Sequence, residues 1–148
     1  MKVSTKGRYG LRSMIDLAIN STEGHVALLY IAKRQNVSVN YLEQVFSTLR
    51  KAGLVKSVKG AQGGYILGDS PSRITIGRIL RALEGSLSIV EESDSKTVMN
   101  NSLQDCIKIN VWDKMTESLN QIVDSITLED MVNEYKKMNG TADLMYYI

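Results

Sequence analysis

Between positions 38 and 48 the chain carries Ser38, Asn40, Tyr41, Glu43, Gln44 and Thr48, side chains that donate hydrogen bonds, accept them or do both. This is the chemistry that reads base edges in a duplex major groove. Gln pairs bidentately with adenine, Ser and Thr serve several bases, and a Glu accepts from a cytosine amino group. Lys56 and Lys59 flank a tip containing Gly60. Glycines there permit close backbone approach, so Lys59 could enter a neighbouring minor groove or meet phosphate. Arg8, Arg12, Arg50 and Lys51 are suited to anchoring phosphates. Catalytic chemistry is poorly represented: with one histidine (His25) and one cysteine (Cys106) there is no His–carboxylate metal pattern. There is also no nucleophile elbow and no P-loop lysine motif. Gly60-x-x-Gly63-Gly64 falls inside a hairpin and lacks the helix N-terminus that holds phosphate. The sequence does not read as an enzyme.

Charge supports a polyanion as partner. The net charge of +2 on 148 residues conceals a polarity. Residues 1–81 hold thirteen Lys/Arg against four Asp/Glu, a net of +9, whereas residues 82–148 hold five against twelve, a net of −7. Such asymmetry implies a basic half for nucleic acid and an acidic half for another task. The composition, 43% hydrophobic and 23% charged, is that of one ordinary globular domain. No apolar run approaches the roughly 20 residues that cross a bilayer. The charged N-terminus does not read as a secretory signal, so the expected compartment is the cytoplasm. A single cysteine excludes an internal disulfide.

Periodicity supplies the elements that would position these side chains. Leu11, Met14, Ile15 and Ala18 predict a helix from about Arg8 to Ser21, and Leu28, Ile31 and Ala32 a short, poorly capped one from about Ala27 to Gln35. Ser38 or Asn40 caps a third helix reaching about Ala52. In it Leu42, Val45, Phe46 and Leu49 point inward, with Tyr41, Gln44, Thr48 and Lys51 on the opposite side. Leu54–Val58 and Tyr65–Leu67 read as two strands around a basic, glycine-rich tip. Thr75 caps a helix through about Glu84. Residues 85–101 are polar and acidic and read as a loop or partly ordered linker. A long helix is expected from about Ser102 to Ser125. Thr127 and Asp130 resemble a capping box for a last helix to about Met138, with a tail after Gly140.

Helix, helix, turn, helix and hairpin is the order of a winged helix-turn-helix. The predicted class is mainly α with a small β-hairpin wing. Residues 1–84 form the DNA-binding domain, 85–101 the acidic loop, and 102–148 a dimerisation helix, a final helix and the tail. The stripe Leu103, Ile107, Val111, Met115, Leu119 and Ile122 needs an apolar cover, and a twofold mate is the simplest one. A homodimer would present two recognition helices to a pseudo-palindromic operator, one helical turn or a multiple apart. Cys106 reads as a small buried hydrophobe and Trp112 as core.

Four segments carry a family resemblance: Ser4-Thr-Lys-Gly-Arg-Tyr-Gly10, Tyr41-Leu-Glu-Gln-Val-Phe46, Leu49-Arg-Lys-Ala-Gly-Leu-Val55 and Val58-Lys-Gly-Ala-Gln-Gly-Gly-Tyr65. They resemble the Rrf family of bacterial winged-helix transcriptional regulators (IscR/CymR type), specifically over residues 1–84 and more loosely through Trp112, Ile126-Thr-Leu-Glu-Asp130 and Tyr147-Ile148. The resemblance implies one of two branches. The iron-sulfur branch carries three cysteines and a histidine in the stretch matching about residues 92–107, where this chain has only Cys106. Glu91, Glu92, Asp94 and Asp105 could add oxygen ligands, but one thiolate per chain does not make the usual cluster site. No cofactor and no metal are therefore expected, Cys106 being only a weak candidate ligand. The cysteine-metabolism branch fits better. It implies a repressor of cysteine and sulfur genes supported by the enzyme O-acetylserine sulfhydrylase, whose active site accepts peptides ending in isoleucine. Tyr146, Tyr147 and Ile148 are then the expected partner-binding tail, since a free carboxylate beside an apolar side chain suits capture in a backbone nest. The alternatives are an iron-sulfur or redox-responsive regulator using residues 91–107, and an interaction protein that inhibits an enzyme through its tail. The latter would not need the basic half.

Overall fold

The computed structural model describes residues 2–91 and 102–147, with side chains through residue 140. Helices α1 (Thr5–Asn20), α2 (Leu28–Gln35) and α3 (Val39–Lys51) are followed by strands β1 (Val55–Val58) and β2 (Gly64–Leu67) and helix α4 (Ile76–Glu84). The second half consists of α5 (Leu103–Ile107), a π-helical turn (Lys108–Trp112), α6 (Asp113–Ser125) and α7 (Leu128–Tyr147).

Capping residues set most of the starts. Ser4 accepts the Gly7 N–H at 3.1 Å and begins α1 well before Leu11, the first position of its apolar stripe, so the helix starts at Thr5 rather than Arg8. Glu84, at the end of α4, accepts from the Ser4 backbone N–H at 3.0 Å and from its hydroxyl. Ser38, not Asn40, caps α3. Ala27 gives α2 no side-chain cap, as its sequence implies. Thr127 and Asp130 form the reciprocal pair expected: Thr127 Oγ1 accepts from the Asp130 N–H at 3.1 Å, and Asp130 Oδ2 accepts from the Thr127 N–H at 2.9 Å.

The main core collects the inner faces of α1–α3, with Met14, Leu17, Ile31, Leu42, Phe46 and Leu49 fully enclosed. Leu128 of α7 joins it, and a second cluster places Leu87 between Ile76 and Leu80 of α4 and Val123 of α6. Of the loop expected over residues 85–101, residues 85–91 are non-helical and held by buried Leu87, and residues 92–101 lie outside the described residues. Arg81 of α4 grips Asp124 of α6 in a fork at 2.7 and 2.8 Å. The pairing lowers the Asp124 carboxyl below its ordinary value and raises the guanidinium above its own.

Two expectations fail in the second half. The helix expected from Ser102 to Ser125 is interrupted by the π turn. Its apolar stripe recurs every fourth residue, which overshoots a turn of 3.6 residues, and a wider turn brings the stripe back into line. The final helix does not stop at Met138 but runs through Gly140 to Tyr147. One glycine costs a helix only about 1 kcal/mol, and the Met, Ala and Leu residues around it favour continuation.

Candidate nucleic-acid interface

Burial of Leu42, Val45, Phe46 and Leu49 fixes how α3 is rotated. Helical geometry then puts Asn40, Gln44, Ser47 and Lys51 along the outward crest, with Glu43 and Arg50 on one flank and Tyr41 and Thr48 on the other. Asn40, Glu43, Gln44, Arg50 and Lys51 are exposed, whereas Tyr41, Ser47 and Thr48 are half-buried.

The flank facing α1 is occupied by internal bonds. The Tyr41 ring meets Tyr9 edge-on with centroids 6.2 Å apart. Thr48 Oγ1 accepts from Lys6 Nζ at 3.2 Å and donates to the Gln44 carbonyl at 3.3 Å. Ser38 spends its hydroxyl oxygen on the Tyr41 N–H at 3.1 Å. Tyr41 and Thr48 therefore lie beside the crest rather than on it, and Ser38 acts as a cap. Ser47 was missed, although its place opposite the Leu42–Leu49 stripe could have revealed it. Lys6 was missed too, because only the packing of α1 on α3 brings it there.

The cations divide into paired and unpaired. Arg34 makes a fork with buried Asp16, its closest contact 2.7 Å, and Arg73 and Arg78 each approach Asp69 at 3.2 Å. The Ser70 backbone N–H, then Arg78, hold the Asp69 carboxyl below its usual range. Hydrogen bonding to Asp16 raises the Arg34 guanidinium. Arg12 bonds Gln35 Oε1 and the Gln35 carbonyl, each at 3.1 Å, and lies 4.8 Å over the Tyr9 ring. Arg8, exposed, donates weakly to Thr5 Oγ1 at 3.4 Å. By contrast Arg50, Lys51, Lys56 and Lys59 are exposed and have no carboxylate partner among the described residues. Four exposed cations without a carboxylate partner among the described residues thus lie at the end of α3 and on the hairpin; Lys2, Lys33, Lys114 and Lys136 are also exposed and lie elsewhere.

The hairpin pairs Val55 with Leu67 and Val58 with Gly64 in antiparallel register. It is anchored to the body by two backbone bonds of 2.9 Å between Val26 and Tyr65, and by the Tyr65 ring 4.9 Å from Phe46. A side chain on Gly64 would run into the Val26 carbonyl, which is why this position needs glycine. At the tip Gly60 takes a φ of 121°, which other residues rarely adopt, and turns the chain directly after Lys59. Together α3 and the hairpin offer amide groups suited to base edges beside uncommitted charge suited to phosphate.

The C-terminal half departs from two side-chain expectations. Cys106 is exposed, with its thiol accepting from Asn110 Nδ2 at 3.7 Å, and Trp112 remains 37% exposed rather than in a core. Leu103, Val111, Met115 and Ile122 also face solvent, while Ile107 and Leu119 are half-buried. For the tail, the backbone of Tyr146 and Tyr147 is helical, and Ile148 lies outside the described residues. The chain has one thiol, on α5, and one imidazole, in the α1–α2 turn, and no group of three or more potential ligands converges among the described residues. Glu92 and Asp94 lie outside the described residues.

Residues 3–134 match the model of the Rrf2 family, described as iron-dependent transcriptional regulators. The chain is 46% identical over 133 residues to the HTH-type transcriptional regulator CymR of Bacillus subtilis (strain 168), covering 90% of this chain and 91% of that one. Its fold is similar to the solved structure of CymR, the global cysteine regulator of B. subtilis, with a TM-score of 0.76, 45% identity, and 90% and 98% of the two chains covered. It is also similar to IscR of T. potens, with a TM-score of 0.73, 47% identity, and 93% and 90% covered.

Proposed function

The chain belongs to the Rrf2 family of DNA-binding transcriptional regulators, and from that membership we propose that it represses genes of cysteine and sulfur metabolism as a homodimer on a pseudo-palindromic operator. The carrying observation is the outward crest of α3, Asn40 and Gln44, with uncommitted Arg50 and Lys51 at its end and Lys56 and Lys59 on the wing. In this reading α3 enters the major groove and Gln44 pairs with a base edge, while Asn40 and Ser47 supply further donors and acceptors. Lys59 reaches the adjacent minor groove or its phosphates, and Arg8, Arg50, Lys51 and Lys56 anchor the backbone. The exposed stripe of α5 and α6 supports the dimer, because a single chain leaves it to water.

A donor set with one thiol supports sulfur over iron, whereas structural similarity is shared between CymR of B. subtilis and IscR of T. potens. We further propose that the C-terminal residues Tyr146, Tyr147 and Ile148 engage O-acetylserine sulfhydrylase. The helix continuing to Tyr147 means that its last turn must unwind to offer an extended end. The reading is tested by selecting bound duplexes from a random-sequence pool and locating matches in the source genome. Enrichment of one twofold-symmetric site upstream of sulfur-assimilation genes is expected; recovery of no common site contradicts it. The iron- or redox-responsive alternative rests on the exposed thiol of Cys106. Anaerobic purification separates the two: colourless, iron-free protein that co-purifies with the sulfhydrylase supports the sulfur reading.

A further inference from the structure

The wing is two strands of four residues, a length that is marginal without outside support. Its base has that support in the Val26–Tyr65 bonds and the Tyr65–Phe46 ring contact. The tip, residues 59–63, has less. Within it the Gly63 N–H bonds the Gly60 carbonyl at 3.0 Å. Outside it, the one side chain among the described residues that hydrogen-bonds the tip is His25, whose Nε2 contacts the Gln62 carbonyl oxygen. His25 belongs to the α1–α2 turn, next to Val26, so imidazole and backbone bridge hold the tip and the strand that follows it from one short segment. A carbonyl oxygen only accepts, so Nε2 carries the proton and donates.

We propose that His25 is a positioning residue for DNA binding: by tying the Gln62 carbonyl to the body it fixes the tip and holds Lys59 where the duplex arrives. The reason is entropic. A tip that is already ordered loses little freedom on binding, whereas a loose one must be ordered at the moment of contact. The inference rests on the reading of the wing as a DNA contact. His25 touches no nucleic acid in this account; it acts through Lys59.

The test is a double-mutant cycle between His25→Ala and Lys59→Ala, read by fluorescence anisotropy on a duplex the wild-type protein selects from a random pool. His25→Ala should weaken binding about fivefold, the effect of losing one hydrogen bond of ordinary net strength. In the Lys59→Ala background it should add almost nothing, because the side chain it positions is gone. His25→Gln, whose amide also donates, should restore most of the affinity. Faster amide hydrogen exchange at residues 60–63 in His25→Ala, with unchanged exchange in α3, is expected without DNA. An equal loss in both backgrounds, or unchanged tip exchange, overturns the proposal. If Lys59→Ala alone leaves binding untouched, the wing reading has failed instead, and the exchange measurement still decides whether His25 orders the tip.

Discussion

Gln44 and Lys59 represent the two kinds of work a side chain does on DNA, and they fail differently when removed. Gln44 stands on the outward crest of α3 with both amide functions available to a base. Gln44→Ala should relax base preference at one operator position per half-site, costing about 1–3 kcal/mol there. Selection with the variant, compared position by position with wild type, measures this, and a uniform loss would make Gln44 a phosphate contact. Lys59 carries charge without a partner among the described residues. Lys59→Ala should weaken binding to all sequences alike and reduce the slope of log K against log salt by about 1. A salt titration with an unchanged slope would remove the wing tip from the interface. Tyr41 and Thr48 are less direct: the first packs on Tyr9, and the second accepts from Lys6.

At the scale of elements, two features invite measurement. The exposed stripe on α5 and α6 predicts that Ile122→Glu, at a position 58% exposed in the single chain, keeps its helical circular dichroism and loses dimer mass in light scattering. The Arg81–Asp124 fork joins α4 to α6 and lowers the Asp124 carboxyl below its ordinary value. A carboxyl so lowered stabilises the fold above its unfolded value of about 4. That contribution fades as pH falls through the lower, folded value. Asp124→Asn should therefore melt below wild type at neutral pH, with the two melting curves converging below about pH 4. The elements of the first 84 residues were legible because their signals are local: 3.6-residue stripes, Ser and Thr caps, a switch to period 2 at Leu54. The π turn and the continuation of α7 were not. A stripe spaced by fours is compatible with either helix type, and Gly140 reads as a stop until the surrounding helix formers are weighed. Crest and flank of α3 were confused for a related reason. Tyr41 and Thr48 are polar and helically spaced, and only the arrival of Tyr9 and Lys6 from α1 shows that they are partly covered.

For the whole molecule, the division of charge matches the proposed division of labour: a basic winged unit for DNA and an acidic half proposed to couple subunits and to end in the partner-binding segment. The halves are not independent bodies, since Leu128 of α7 is buried in the core of the winged unit and Leu87 bridges α4 and α6. Displacing α6 or α7 would therefore disturb the frame that carries α3. Deleting Tyr147 and Ile148 should abolish association with O-acetylserine sulfhydrylase and leave the dimer intact, as read by co-purification and light scattering. The central claim is that α3 and the wing occupy adjacent grooves and are presented twice by paired chains. Hydroxyl-radical footprinting on a selected duplex tests it most directly. The account predicts two protected patches related by a twofold axis, their centres one helical turn or a multiple apart, with the minor-groove protection beside each lost in Lys59→Ala. A single asymmetric patch, or protection unaltered in that variant, would contradict it.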